Sequence, residues 1–342
     1  MLTSVFAGPA VVPPGSSVTV RASTLVVGDI TVPADWYFPN EDEPPTGLIY
    51  LQHGALAVAS MYSYTAAALA AETNSIVVAP TMSTNGFDPS GMWLGGTPLQ
   101  LATAELFEGD RSALTASASA AAGHAVTLPQ SFVLVGHSLG GVFVTEVAGY
   151  LAASGSAAID DLKGVVLFDP AHSAGQDDAL PTALGKLSSD LPAFMVGSPP
   201  GFWNQVGTDE EALAAARPGK FVGVVLDQGS HSDAVRGGNP LMQFIEDFVS
   251  GFPKAKNIDA LQMLAVGWIN DMFLETGDGV YASPGDVFTI DTPAGTAAAF
   301  ALPDTYHQAS PIAVLLTELV NWLTAGLGQT GSATPSVAAT AF

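Results

Sequence analysis

Short apolar runs recur along the middle of the chain and alternate with stretches of helical periodicity. Six such runs are "GLIYLQ" (47–52), "SIVVAP" (75–80), "SFVLVG" (131–136), "GVVLFD" (164–169), "AFMVG" (193–197) and "KFVGVVLD" (220–227). Their nearly unbroken Val, Ile, Leu and Phe content indicates strands that are covered on both faces. Helical stretches such as 61–72 and 140–153 supply that cover through right-handed crossovers. The pattern therefore predicts an α/β fold with a mostly parallel central sheet flanked by helices.

The segments before and between these runs add further elements. Two β-type runs, "SVTVRA" and "ITVPADWYFP", predict an N-terminal antiparallel pair at about 17–38. The long connection 81–130 should hold one or two helices, and 198–219 carries "PPGFWNQ" followed by an alanine-rich helix.

Beyond residue 231 we expect the sheet pattern to stop. The remaining predicted elements are helices at 240–250, 257–274 and 311–325 and a possible hairpin in "VFTIDTPAGTAAAFAL". The sequence thus predicts a core over 1–240, a C-terminal helical extension over 241–327 that packs on the core or forms a lid, and a flexible tail over 328–342.

The charge balance narrows the classes of partner. The formal net charge is −23 because the chain has only 9 Lys and Arg against 32 Asp and Glu. Such a surface repels phosphate backbones and anionic headgroups, so we expect no nucleic-acid partner and a neutral or cationic ligand. No 18-residue apolar run is free of polar breaks, so no transmembrane segment is expected. The oligomeric state is left open.

The cysteine content and the first residues bear on the compartment. There is no cysteine, which excludes disulfides, thiolate zinc sites and cysteine nucleophiles and leaves the redox compartment unread. The start "MLTSVFAGPAVVPPGSS" has no basic region followed by a sustained apolar stretch, so we expect no signal peptide within this sequence. The localisation stays open between a bacterial cytoplasm and secretion with a signal already removed.

The segment "FVLVGHSLGGVFVTEVAGYLAAS" carries the strongest chemical signal. Gly136, Ser138 and Gly140 fill the pattern GxSxG where a strand runs into a helix, which is typical of a nucleophile elbow. In that turn the serine takes a strained backbone conformation and its hydroxyl projects above the strand ends. The N–H of Leu139 then lies at the positive end of the following helix, where it can stabilise an oxyanion. Ser138 is therefore the predicted nucleophile.

A serine hydroxyl is a poor nucleophile unless a positioned base takes its proton. His231 follows the last sheet-like strand in "VVLDQGSHSDAV", which is where the chain order serine, acid, histidine places the base. His307, in "PDTYHQASP", is the alternative base. We expect His137 to pack inside the elbow and His124 to be exposed.

The base needs a carboxylate that fixes its tautomer. Asp169 stands at a strand end in "VVLFDPAHSAG" and is the candidate acid, although a strand-end Asp can also do no more than cap a turn. Residues 198–208, after the following strand, contain no Asp or Glu. Asp209 is therefore the reserve, while Asp227 lies too close to His231 along the chain.

A second oxyanion donor is expected from the loop after the first central strand. In "YLQHGALAVASMYSYTAAALAAE", His53 and Gly54 form a tight turn, so the N–H of Ala55 is best placed, with Leu56 as its neighbour. We expect His53 to brace this loop. Loss of one such donor costs on the order of 3 kcal/mol of transition-state stabilisation.

Apolar and aromatic residues in the loops that border the predicted cleft would suit a hydrophobic acyl or alkyl group. These candidate substrate-binding residues are Leu56, Met61, Tyr62, Trp93, Phe202 and Trp203. An aromatic residue in a loop can equally be a packing anchor. The scarcity of Lys and Arg argues against anionic phosphate or sulfate esters, which leaves neutral hydrophobic esters, from small test esters to lipids and polyesters. This chemistry requires neither a metal nor an organic cofactor.

Together these segments resemble the α/β-hydrolase superfamily and, within it, the chlorophyllases and their bacterial polyester-hydrolase and lipase relatives. The resemblance covers roughly residues 45–240 and is carried by "LQHGALAVASMYSYTAAALAAETNSIVVAP", "VGHSLGG", "VLFDPAHSAG" and "GKFVGVVLDQGSHSDAV". The narrower signal is an acid in an Asp-Pro turn after the nucleophile, as in chlorophyllases and pancreatic-type lipases. This chain departs from the chlorophyllase elbow at Leu139, where a basic residue is often found.

The resemblance implies carboxylic ester hydrolysis through an acyl-enzyme. It assigns Ser138, Asp169 and His231 as the catalytic triad and the amides of Leu139 and Ala55 as the oxyanion hole. Two alternatives remain open at this stage. The same triad could transfer the acyl group to an alcohol, an amine or a peroxide, or the fold could be catalytically silent and used for binding.

Overall fold

The computed structural model describes most of the chain. The described residues are 8–40, 43–239, 243–244, 247 and 251–328, without the side chains of 323–328. Most of the helix predicted at 240–250 and nearly all of the flexible tail predicted at 328–342 lie outside the described residues, as do the first seven residues of the segment considered for a signal peptide.

Within the described part of the chain, ten strands form one sheet in the order β1-β2-β4-β3-β5-β6-β7-β8-β10-β9. The strands are β1 (Val18–Val27), β2 (Ile30–Pro39), β3 (Leu48–Gln52), β4 (Ile76–Pro80), β5 (Phe132–His137), β6 (Leu162–Phe168), β7 (Ala193–Gly197), β8 (Gly223–Leu226), β9 (Val287–Thr292) and β10 (Gly295–Ala301). The central pairs from β4 to β8 are parallel, and the pairs toward both edges are antiparallel. The predicted fold class and the N-terminal antiparallel pair are confirmed.

Helices cover both faces of the sheet. They are α1 (Ser63–Glu72), α2 (Thr97–Glu105), α3 (Ser112–Ala122), α4 (Leu139–Ser154), α5 (Ala158–Asp161), α6 (Ala179–Lys186), α7 (Thr208–Ala216), α8 (Ala255–Leu274) and α9 (Pro311–Gly328), with short 3₁₀ helices at Ala59–Tyr62 and Phe202–Gly207. Helices α2, α3, α4, α6 and α7 pack on one face, and α1 and α8 pack on the other.

The strand β5 shows why the central runs are uniformly apolar. Phe132 and Leu134 point into the core on one face of the sheet, and Val133 and Val135 point into the core on the other. All four side chains are fully buried. Because successive side chains alternate between two covered faces, every position must be apolar, and a continuous run results.

The expectation that the sheet pattern stops after residue 231 is wrong. The hairpin of β9 and β10 joins the central sheet, where Ala299 pairs with Leu226 and Ala301 pairs with Val224 in antiparallel register. Strand β8 would otherwise present an edge of unpaired backbone groups. The alanine-rich sequence of β10 has a single β-branched residue, Thr296, whereas the central strands are rich in Val and Ile, so its local pattern is weak.

Helix α8 covers the sheet face opposite α4. Leu264 and Trp268 are fully buried in the core on that face, and the Trp268 indole N–H donates to the Val280 carbonyl at 2.9 Å. Helix α8 thus packs on the core, while the domain division at residue 240 stays a prediction.

Helix α9 differs from the others because it exposes a large apolar surface. It contacts the Phe202–Gly207 segment and leaves most of its large apolar side chains open to solvent, with Ile312 70% and Trp322 72% exposed. In the part of the chain that the structure describes, neither α9 nor any other helix has both the length and the hydropathy needed to cross a membrane.

Replacing Leu264 with Ala should lower the free energy of unfolding by about 2–5 kcal/mol, because the substitution leaves a cavity between α8 and the sheet. The neighbouring Met263 is 40% exposed, so Met263→Ala is the matched control and should change stability by less than about 1 kcal/mol. Urea denaturation followed by circular dichroism measures both. A loss at Leu264 as small as the one expected at Met263 would show that α8 adds nothing to the cooperative core.

Candidate active site

Ser138 lies in a strained bend between β5 and α4. Its backbone has φ 53° and ψ −127°, a region that costs a residue with a side chain about 1–3 kcal/mol. The bend persists because the flanking backbones approach closely. A Cβ on Gly136 would lie 2.2 Å from the Gly140 carbonyl oxygen, and one on Gly140 would lie 2.4 Å from the His53 carbonyl oxygen. Neither glycine can carry a side chain, so the sequence motif and the bend require each other.

Asp169 and His231 come together from the ends of two other strands. The residue after β6 is Asp169, and the loop after β8 carries His231. The Asp169 Oδ2 atom lies 2.6 Å from His231 Nδ1, and both side chains are 7% exposed. The carboxylate also accepts from the Ser198 N–H at 2.8 Å, from the Ser198 hydroxyl at 2.7 Å and from the Asn204 amide at 3.2 Å.

These donors decide the charge of Asp169. Burial alone would raise the pKa of this carboxyl, but the hydrogen bond and charge of His231 and the two donors from Ser198 outweigh burial and hold the pKa below its usual value. The carboxylate is therefore ionised at neutral pH. It then accepts the proton on His231 Nδ1, which leaves Nε2 of the neutral ring unprotonated and able to accept another proton.

Main-chain contacts bring the serine to this pair. The Ser138 N–H donates to the carbonyl of Phe168, the residue before the acid, at 2.9 Å. His137, the residue before the serine, has its Nε2 2.7 Å from the His231 carbonyl oxygen, and the two rings have centroids 4.7 Å apart. Across the described residues, the hydrogen bonds of Ser138 run through its backbone, and its hydroxyl has no partner.

The loop after β3 borders the same bend. A Cβ on Gly54 would lie only 2.9 Å from the Ser138 Cβ, so this turn packs directly on the serine. His53 is buried and braces the loop as expected, since its Nδ1 lies 2.8 Å from the Gly54 carbonyl and its Nε2 accepts the Met82 N–H at 2.9 Å. Two exposed residues, Ala55 and Leu56, follow.

Two backbone donors at the bend are unpaired. Among the hydrogen bonds of the described residues, none has the N–H of Ala55 or of Leu139 as its donor. The N–H of Leu139 opens helix α4, where the helix dipole favours negative charge. An anionic oxygen beside Ser138 would therefore find donors that have no partner among the described residues.

The alternative base and the reserve acid lie in other pairs. His307 Nδ1 is 2.5 Å from Asp304 Oδ2, and its Nε2 is 3.6 Å from Asp227. Asp209 accepts the N–H and the Nδ1 proton of His172 at 2.8 and 2.9 Å. His172 carries no signal in the sequence. Burial alone would lower its pKa, but the neighbouring carboxylates of Asp209 and Asp177 outweigh burial and raise it. This pair ties α7 to the loop after β6 rather than serving His231.

Two of the candidate substrate-binding residues, Trp203 and Leu56, are exposed. Trp203 is 38% exposed, and its ring lies nearly parallel to the His231 ring at a centroid distance of 6.4 Å. Phe202 packs edge-on against Trp203 at 4.9 Å. Leu56 is 74% exposed beside Ala55. These side chains offer an apolar surface next to the bend.

Met61 and Tyr62 do not offer such a surface, which corrects the sequence-based assignment. Both are buried in the core, 4% and 1% exposed, and the Tyr62 hydroxyl bonds to His137. The reason is that the short Ala59–Tyr62 helix turns inward onto the sheet, which loop position in the sequence does not reveal. Trp93 is half-buried and packs against the core on the other face of the sheet.

Sequence reasoning missed Ser198 and Asn204, which both donate to Asp169. Both lie in the stretch 198–208, which was searched for a carboxylate only. A search for hydroxyl and amide donors after the strand beside β6 would have found them, because a buried carboxylate needs several donors.

The described part of the chain has cavities that lie away from this site. One cavity of about 460 Å³ is lined by Arg21 and His124, and another of about 580 Å³ by Tyr64 and Arg236; neither contains a residue of the Ser138 site. Within the described residues, no three His, Asp or Glu side chains converge as a metal site requires.

Comparison with known proteins supports the fold. No protein-family model and no curated protein matches the chain. Solved structures do match. An arylesterase has 12% sequence identity and a TM-score of 0.53, and the match covers 80% of this chain and 89% of that chain. Brefeldin A esterase, a bacterial homologue of human hormone-sensitive lipase, has 14% sequence identity and a TM-score of 0.51, and the match covers 79% of this chain and 82% of that chain. At these identities the likeness shows the α/β-hydrolase fold.

A buried carboxyl beside the site makes stability depend on pH. Glu210 of α7 is only 6% exposed. Burial, followed by the negative charges of Asp304, Asp169 and Glu211, raises its pKa to about 8. The folded protein therefore favours the neutral acid. The contribution of Glu210 to the free energy of unfolding is fully present below the pKa that this carboxyl has in the unfolded chain. It is lost as the pH rises toward 8.

Glu210→Gln should thus stabilise the protein in an increasingly marked way as the pH rises. The gain should be near zero at pH 4 and on the order of 4 kcal/mol above pH 8, since glutamine stays neutral and can still accept the Asp304 N–H. Melting temperatures of variant and wild type between pH 4 and 9 test this. The exposed Glu105→Gln is the control, and a pH-independent gain at Glu210 would contradict the assignment.

Proposed function

We propose that the chain is a serine esterase that cleaves neutral, hydrophobic carboxylic esters through an acyl-enzyme. The strongest support is the 2.6 Å contact between Asp169 and His231, formed beside a serine held in a strained bend. A buried ionised acid that fixes the tautomer of a neighbouring imidazole is the arrangement a serine nucleophile needs.

The reaction begins when Ser138 Oγ attacks the ester carbonyl carbon and His231 Nε2 takes its proton. Asp169 stabilises the imidazolium that forms. The Ser138–His231 hydrogen bond forms as substrate binds, since such contacts are often loose in the free enzyme. Because the unpaired N–H groups of Leu139 and Ala55 flank the serine, they hold the negative oxygen of the tetrahedral intermediate.

The second half of the reaction returns the enzyme to its starting state. His231 gives its proton to the alkoxide oxygen as the ester C–O bond breaks, and the alcohol leaves. Water then attacks the acyl group on Ser138, with His231 again taking the proton, and the carboxylic acid is released. The chemistry needs only the groups of this chain and water.

The surroundings of the site support neutral hydrophobic esters as the substrate class. A net charge of −23 repels anionic esters, and the exposed apolar faces of Trp203 and Leu56 suit an acyl or alkyl group. The matching structures are named as esterases, an arylesterase and brefeldin A esterase. The narrower placement beside chlorophyllases and polyester hydrolases rests on the sequence segments alone.

Ser138→Ala should abolish hydrolysis of p-nitrophenyl esters from C2 to C16, because the variant has no nucleophile. Rates are followed at 405 nm, and the melting temperature checks that the fold is intact. A fluorophosphonate probe should add its mass to the wild type and not to the variant. Undiminished turnover by Ser138→Ala, or a wild type that neither turns over esters nor takes the probe, would refute the proposed function.

Asp169→Asn should lower kcat by roughly 10⁴-fold, because the asparagine amide can donate to His231 Nδ1 and favours the wrong tautomer. The chain offers a matched control in Asp209→Asn, since Asp209 is also buried and also accepts from a histidine. That variant should lose stability and keep its kcat within a few-fold. Similar losses of kcat in the two variants would mean that Asp169 acts only through folding.

A further inference from the structure

A buried row of hydrogen bonds runs from the loop after β3 to the loop after β8. The Gly54 N–H lies 3.1 Å from the Tyr62 hydroxyl, which lies 2.7 Å from His137 Nδ1, and His137 Nε2 lies 2.7 Å from the His231 carbonyl oxygen. All four residues are buried. The row crosses directly behind the bend at Ser138, because His137 precedes the serine.

The direction of each hydrogen bond follows from its ends. The His231 carbonyl can only accept, so His137 Nε2 carries a proton and donates. In a neutral imidazole Nδ1 is then an acceptor, so the Tyr62 hydroxyl donates to it. The same hydroxyl oxygen accepts the Gly54 N–H, whose hydrogen can only be donated. The protons therefore point one way along the whole row.

The environment of His137 keeps its ring neutral. Burial in the first place, and next the nearby His231, lower the pKa of His137 to about 3. A second proton on Nδ1 would also displace the Tyr62 donor. His137 thus holds one tautomer across the whole range in which an esterase works.

We propose that His137 and Tyr62 are positioning residues that set the candidate base and the candidate oxyanion loop relative to the nucleophile. This inference rests on the proposed function and names the residues that give its site its geometry. His137 holds the backbone of His231, whose ring Asp169 orients from the other side. Tyr62 holds Gly54, the residue before Ala55. One row of contacts thus connects three groups that must meet the same ester carbonyl.

Simple packing would not require this arrangement. An apolar residue at 137 would fill the space but remove the donor to the buried His231 carbonyl and the acceptor of the Tyr62 hydroxyl proton. A serine, a base and two amides must also be aligned closely, since a displacement of about 1 Å can cost roughly 10²-fold in rate. The row supplies that alignment through groups that never touch the substrate.

The first test reads the tautomer of His137 by ¹⁵N NMR of histidine-labelled wild type, with His137→Gln used to assign the signal. The expected result is a protonated Nε2, an unprotonated Nδ1 and no titration between pH 5 and 9. A protonated Nδ1 of His137, or titration of His137 within that range, would overturn the proposed row of hydrogen bonds. This readout does not depend on ester turnover, so it separates failure of the row from failure of the proposed function.

The second test compares Tyr62→Phe with Tyr50→Phe. Tyr50 is also fully buried, and its hydroxyl donates to Gln52 Oε1 at 2.8 Å, so each variant removes one buried phenol hydroxyl that donates a hydrogen bond to a side chain. Tyr62→Phe should lower kcat roughly 10- to 100-fold at nearly unchanged KM, while Tyr50→Phe lowers only the melting temperature. Equal kcat values for the two variants would overturn the proposal.

The third test asks whether a donor at position 137 is what matters. The glutamine in His137→Gln can still donate an amide hydrogen toward the His231 carbonyl, whereas the leucine in His137→Leu cannot. The glutamine variant should therefore keep at least several-fold more kcat than the leucine variant at similar melting temperature. A kcat of the glutamine variant no higher than that of the leucine variant would overturn the positioning role of His137.

Discussion

The close approach of three backbone segments at Ser138 is the constraint on which the rest of the site depends. Strand β5, the start of α4 and the end of β3 meet so tightly that Gly136 and Gly140 have no room for a Cβ. This contact holds Ser138 at a positive φ, and the packing around the bend offsets the free-energy cost of that backbone conformation. The Gly54 turn packs on Ser138 at the same contact, so the candidate oxyanion donors, Leu139 after Ser138 and Ala55 after Gly54, are each next in the chain to a residue of this contact.

A buried charge imposes the second constraint, on the other side of the site. Asp169 is ionised inside the protein, so its oxygens need donors, and these come from His231, Ser198 and Asn204. The segment that supplies Asn204 is itself strained, because Gln205 and Val206 both have positive φ. A positive φ is rare for a β-branched residue such as Val206. The strain is tolerated where it places the Asn204 amide on Asp169 and the exposed Trp203 ring beside His231.

Much of this was predictable from sequence because the signals are local. The covered strands and the tight bend around Ser138 show in short windows of residues, and Asp169 and His231 each follow such a strand. What escaped prediction depends on distant contacts: the alanine-rich β10 becomes a central strand only because β8 needs a partner, and Tyr62 is buried only because the short helix before α1 turns onto the sheet. Ser198 and Asn204 carry no motif, since their role exists only once Asp169 is beside them.

The sheet explains why all these groups meet at one edge. Parallel strands end on the same side, and β3, β5, β6, β7 and β8 are each followed by one part of the site: the Ala55 loop, Ser138, Asp169, Ser198 and the His231 loop. The register of the paired strands then sets the spacing of these groups, and the hydrogen bonds between the strands hold that spacing fixed. Strand β8 holds its place because β10 pairs with it on its outer side, and the Asp227 N–H just beyond β8 donates to the Ala298 carbonyl at 2.9 Å. The C-terminal hairpin therefore supports the strand that carries the candidate base, so sequence beyond residue 240 contributes to the geometry of a site whose side chains all precede it.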